Sequence, residues 1–156
     1  RMSSIIKVDT IQTAAGGTPT AADLGLDVSG NALQVVQSIT ASQISTTSTS
    51  YVASGLSANI TPASTSSKVL ISLTFWPNIG GDDGFVTFYR DSTNVLNGYA
   101  FRYSNTAENC LTVQYLDSPS TTSQITYQPY YFAGSGSTFY LNGNNRMATF
   151  ILTEFA

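Results

Sequence analysis

The sequence predicts an all-β fold, a sandwich or barrel, on three observations. Runs of β-branched and aromatic residues alternate with polar ones at a period of two. These runs recur about every 8–12 residues, separated by Gly-, Pro-, Ser- and Asn-rich turns. No stretch carries the 3.6-residue apolar spacing of an amphipathic helix of useful length, and no internal repeat is present.

The chain reads as two parts, an N-terminal segment over residues 1–31 and a β domain over 32–156. In the first part, IIKVDTI places Ile5, Ile6, Val8 and Ile11 in a short extended apolar segment. The following AAGGTPTAADLGLDVSGN has too little bulky apolar surface for a core of its own. A segment free in water gains nothing from four β-branched aliphatics spaced for a strand, so Ile5, Ile6, Val8 and Ile11 are expected to attach to a partner.

From Leu33 the strands come regularly. LQVVQSIT (33–40) is the first, and ASQISTTSTS connects it to short strands at 51–53 and 56–61. A turn at 62–66 leads to the strongest signal, 68–76, where Val69, Ile71, Leu73 and Phe75 share one face and Pro77 ends the run. NIGGDDG (78–84) is a loop, followed by strands at 85–90, 95–102 and 110–116. Pro119 cannot donate to a ladder and belongs in the next connection. Strands at 124–132, 138–141 and 147–155 complete the count.

Two of these runs carry most of the functional argument. In YLDSPSTTSQITYQPYYF (115–132), Tyr127 and Tyr131 fall on one face and Tyr130 and Phe132 on the other. One of those faces is core. The outward tyrosines are candidates for contact with a receptor, because Tyr offers area and a hydroxyl at low entropy cost. Tyr127 and Tyr131, with Tyr140 across the next turn, form that candidate set. In RMATFILTEFA (146–156), Ala148, Phe150 and Leu152 form one row; Met147, Thr149, Ile151, Thr153 and Phe155 form the other. A strand apolar on both faces must be covered on both. The domain core covers one row, and Met147, Ile151 and Phe155 are left for contact with another subunit.

Composition narrows the class further. Charged residues make up 10% of the 156 residues, far below the ~25% of ordinary globular chains. A surface so poor in charge suits packing against copies of itself. The net charge is −3 and the six Lys and Arg are scattered, so the convergent cations that nucleic acid requires are missing. No run approaches the ~20 apolar residues of a membrane span, and membrane insertion is not expected. The N-terminus shows no apolar signal-peptide core, so ordinary secretion is not expected either. The single cysteine, Cys110, excludes an internal disulfide and is expected to be a buried small hydrophobe.

Catalysis finds little support. With no histidine, Ser–His–Asp and Cys–His arrangements are impossible within the chain. A two-carboxylate mechanism would need a pair such as Asp82 or Asp83 with Asp91, Glu108 or Asp117, and spacing favours none. Adjacent Asp82 and Asp83 in GGDDG invite a calcium reading, but the alternate-residue ligand spacing of a calcium loop is missing. A solvated turn is expected there. No enzyme activity, metal or cofactor is expected.

Several segments in order resemble the head domains of tailed-phage fibre and appendage proteins of marine or cyanophage type: SKVLIS (67–72), FYRDSTNVLNG (88–98), YLDSPSTTSQITY (115–127) and ATFILTEFA (148–156). The resemblance spans roughly residues 33–156. It implies a jelly-roll β-sandwich of the complement and tumour-necrosis-factor type, assembled as a homotrimer, with the closing strand on the sheet that faces the threefold axis. Residues 1–31 resemble a virion-attachment segment. The implied setting is a virion, assembled in the host cytoplasm, with other capsid or tail proteins as partners and room for a host surface glycan. The chain contains no long repetitive shaft, so a short fibre or appendage is expected. A capsid decoration protein and a freestanding trimeric glycan-binding lectin are the alternatives.

Overall fold

A computed structural model describes residues 12, 16–18, 30–81, 83–104 and 109–156. The chain divides into two units, Arg1–Asn31 and Ala32–Ala156. Every strand among the described residues lies in the second. The attachment candidates Ile5, Ile6, Val8 and Ile11 lie outside the described residues, as do Asp82 and Glu108.

In chain order the strands are β1 (Ala32–Thr40), β2 (Ser45–Thr46), β3 (Val52–Ala53), β4 (Ala58–Ile60), β5 (Lys68–Phe75), β6 (Asn78–Ile79), β7 (Gly84–Arg90), β8 (Thr93–Asn94), β9 (Phe101–Tyr103), β10 (Leu111–Asp117), β11 (Ile125–Ala133), β12 (Phe139–Tyr140) and β13 (Ala148–Phe155). One sheet has the order β1-β13-β5-β10. The other runs β3-β11-β7-β8, with β4 also on β11 and β9 also on β7. A small third sheet, β2-β12-β6, closes one end. All these strand pairs are antiparallel. The molecule is an antiparallel β-sandwich.

Alternation in the sequence explains how the two large sheets meet. Val69, Ile71, Leu73 and Phe75 of β5 and Ala148, Phe150 and Leu152 of β13 are buried against Val86 and Phe88 of β7 and Ile125, Tyr127 and Tyr131 of β11. Phe88 and Phe150 touch across the layers, with ring centroids 6.1 Å apart. Each fully buried Leu, Ile or Phe contributes about 1.5–3 kcal/mol, which makes this double row the main source of stability.

Pro129 sits inside β11, where a missing N–H would ordinarily break a central strand. Two short strands make this tolerable. β11 pairs with β4 over Ile125–Tyr127 and with β3 over Tyr130–Tyr131, and Pro129 falls in the gap between them. Its carbonyl accepts from the Ser54 N–H at 3.0 Å. In an antiparallel strand the N and O of one residue point the same way, so the absent donor also faces the gap.

Four expectations need correction. The run at 95–102 is not one strand: it forms a turn over 95–98 and enters β9 only at Phe101. Asn94 Oδ1 accepts from the Leu96 N–H at 2.9 Å, and Asn97 and Gly98 take φ of 53° and 90°. Such local side-chain bonding and left-handed backbone end a strand. The 78–84 loop contributes β6 and the Ser/Thr connection contributes β2, both recruited by β12. Cys110 is exposed. It stops one residue short of β10, whose inward residues are Leu111, Val113 and Tyr115, so alternation turns Cys110 outward.

Candidate functional site

The outer face of the β1-β13-β5-β10 sheet is the most unusual surface. Met147 is 56% exposed at its edge, and Ile151 and Phe155 project from the same face, half-buried by neighbouring strands. Register places Val35 beside Thr153, Ile39 beside Thr149, and Leu70 between Thr153 and Leu116. Val35 (62%), Ile39 (58%) and Leu116 (53%) are more than half exposed, and Leu33 lies at a β-bulge near Gln34. Of the exposed large hydrophobic residues among those described, only Tyr99 belongs elsewhere. No charge interrupts this face between Lys68 at one end and Arg146 at the other. Arg146 itself covers the Trp76 ring, with its guanidinium carbon 4.4 Å from the ring centroid. The face mixes these apolar side chains with uncharged polar ones, Gln37, Ser72, Thr74, Thr112, Gln114, Thr149 and Thr153, and exposes more large apolar residues than an antiparallel sheet facing water ordinarily does.

The tyrosine candidates are placed differently from expectation. Tyr127 and Tyr131 are buried, at 0% and 3% exposure, and cannot contact a receptor from these positions. Both rows of β11 are aromatic, and the core takes the row that also holds Ile125 and Ala133. Burial pushes the Tyr131 hydroxyl up to about 12. The Tyr127 hydroxyl is raised further, by burial first and then by the hydrogen bond and charge of Asp117. Tyr140 is half-buried and lines a cavity of about 190 Å³ with Gln43, Asn78, Gly143 and Asn144. The buried Asn142 amide organises this end of the sandwich. It accepts from the Ile44 N–H at 2.6 Å and donates to the Ser42 and Arg146 carbonyls at 2.7 and 3.1 Å.

The row turned outward from the second sheet is instead Tyr130 and Phe132, joined by Tyr51, Phe85 and Tyr89. Phe85 and Phe132 stack 4.5 Å apart, and Tyr89 and Tyr130 stack at 4.0 Å. Tyr51 meets Phe132 edge-on at 4.8 Å.

The described acidic candidates, Asp83, Asp91 and Asp117, are engaged in structural roles. Asp117 Oδ2 accepts from Arg90 Nη1 at 2.6 Å and from the Tyr127 hydroxyl at 2.7 Å, tying β10 to β7 and β11 across the sandwich. Asp91 accepts from the Thr126 N–H at 3.0 Å. Asp83 pairs with Arg102 at 2.7 Å. Sequence reading did not single out Glu154, the one charged residue in the inward row of β13, which is wholly buried. Gln34 Nε2 and the Ala63 N–H donate to it at 2.5 and 2.7 Å. Desolvation alone would raise its carboxyl. The Ser67 hydroxyl, the Gln34 amide and the Ala63 N–H, donors directed at the carboxylate, bring it below the usual carboxylate value. Among the described residues no three His, Cys, Asp or Glu side chains converge on a possible metal position.

No protein-family model matches the chain, and no curated protein matches it at a significant level.

Proposed function

We propose that this chain is a non-enzymatic virion protein, a short fibre or appendage whose head self-assembles as a homotrimer. The observation that carries the reading is the uncharged outer face of the β1-β13-β5-β10 sheet, with its group of exposed large apolar side chains. A face bearing Val35, Ile39, Leu116 and Met147 in the open is costly in water and favourable when a second copy covers it. Around a threefold axis the same patch on each subunit meets its neighbours, so one apolar surface closes the assembly. The strand orders β1-β13-β5-β10 and β3/β4-β11-β7-β8/β9 support a jelly-roll reading of the sandwich. Met147, Ile151 and Phe155 are the interface residues of this proposal, and Ile5, Ile6, Val8 and Ile11 its link to other capsid or tail proteins. Multi-angle light scattering on the purified chain tests it. A mass of three chains at micromolar concentration is expected, and a stable monomer would overturn the reading. The same face would serve a capsid decoration protein equally well, and electron microscopy of virions labelled on this chain separates the two positions.

A further inference from the structure

The geometry points to a binding site for a neutral oligosaccharide on the other sheet, formed by Phe85, Phe132, Asp83, Gly134 and Ser135. The site is built by register. Phe132 of β11 stands opposite Phe85 of β7, and one step further the Gly134 N–H donates to the Asp83 carbonyl at 2.7 Å. Phe132 and Gly134 are two residues apart and therefore share the outward face. Glycine brings no side chain to that position, and the space left beside the ring pair is a pocket of about 380 Å³. A Cβ at Gly134 would lie 3.1 Å from the Asp83 carbonyl oxygen and 3.3 Å from the Phe85 ring, so the position is one that a side chain would crowd. The volume falls at the lower end of the about 300–1,000 Å³ usual for small-molecule sites.

The chemistry of the walls selects the ligand class. The two phenyl rings stack on each other within 8°, and their remaining edges and outer faces present apolar surface suited to the C–H groups of a pyranose. At the rim, Asp83 offers carboxylate oxygens and Ser135 a hydroxyl that can donate or accept, a polar set matched to sugar hydroxyls. Arg102 Nη2 holds the Asp83 carboxylate at 2.7 Å, which orients it and cancels its charge locally. With that charge cancelled, the rim favours neither a cationic nor an anionic ligand, and its hydrogen-bonding groups suit a neutral polyol. The half-buried Tyr51, Tyr89 and Tyr130 continue the aromatic surface along the same sheet face, which extends the site beyond a single sugar ring. The pocket lies at the end of the sandwich remote from the start of β1, beside the β2-β12-β6 sheet. It belongs to the opposite sheet from the proposed trimer face, so it does not rest on that reading.

The test is retention of the full chain on an array of neutral oligosaccharides (glucose-, galactose- and mannose-terminated) and acidic ones (sialylated and sulfated). Titration calorimetry with the retained sugar follows. Retention of at least one neutral oligosaccharide is expected. Phe85→Ala and Gly134→Val should each weaken it about tenfold or more, and Asp83→Asn should weaken it with the fold unchanged. If Gly134→Val lowers the melting temperature, Phe85→Ala and Asp83→Asn decide the matter. No retention of any neutral oligosaccharide, retention confined to acidic ones, or binding indifferent to Phe85→Ala and Asp83→Asn would overturn the site. A monomeric protein that binds neutral sugar would leave the site standing and remove only the trimer.

Discussion

Gln34 and Glu154 face each other across the β1–β13 ladder, and the Gln34 amide donates to the buried Glu154 carboxylate at 2.5 Å. The same amide nitrogen reaches the Thr61 carbonyl at 2.8 Å, and the second carboxylate oxygen takes the Ala63 N–H. One buried acid thus joins the first strand, the last strand and the turn before β5. Its row is otherwise apolar, so the charge is tolerated only because donors surround it.

This arrangement makes stability depend on acid. The folded carboxyl lies below its unfolded value, so its contribution is full above the unfolded value of about 4.5 and is lost as pH falls through the folded one. Glu154→Gln would set an amide N–H against the donors of Gln34 or Ala63, costing about 1–3 kcal/mol at neutral pH. Thermal melting of both proteins from pH 7 down to pH 3 checks this. The gap between them should narrow on acidification, and a constant gap would show that the carboxylate charge is not what the donors stabilise.

Tyr127→Phe keeps the buried ring and removes only the hydroxyl that Asp117 accepts. Loss of a hydrogen bond to a charged group should cost about 1.5–3 kcal/mol. Asp117→Ala should cost more, since it also leaves the partly buried Arg90 guanidinium without its partner. Urea denaturation of the three proteins gives the order, and an Asp117→Ala variant as stable as Tyr127→Phe would contradict it.

Ile151→Asp should break the proposed assembly while leaving the sandwich folded, because Ile151 points away from the core. Three copies near an axis would place like charges together in poorly solvating surroundings. Lost apolar contact adds about 1.5–3 kcal/mol per copy. Asp83→Ala removes a surface ion pair and should change stability by about 0–1 kcal/mol. Size-exclusion chromatography with light scattering, with and without calcium, should show a monomeric Ile151→Asp and an unaltered Asp83→Ala.

A chain beginning at Gly30 should fold with the melting temperature of the whole protein, since the described strands all lie in the unit from Ala32 onward. Under the virion proposal it should fail to join particles. Circular dichroism reads the first outcome, and occupancy on purified virions reads the second.

Alternation by itself determined the all-β class and the inward rows of β5 and β13. In both strands an aliphatic row stands against a row containing Ser or Thr, and only one of the two can pay for its desolvation by burial. Where that contrast fails, the sequence is silent. Both rows of β11 are aromatic, and only the packing of Ile125 and Ala133 against the facing sheet turned Tyr127 and Tyr131 inward and left Tyr130 and Phe132 outside. The pocket beside Phe85 and Phe132 required β7 and β11 to pair in one register, which places Asp83 and Gly134 together although they are distant in the chain. Nothing local to Glu154 shows how a charge in an inward row is tolerated, because its donors come from Gln34 and Ala63 in remote segments. Periodicity is a local property and reports which residues share a face; which face is covered, and by what, depends on contacts between segments that no window along the chain contains.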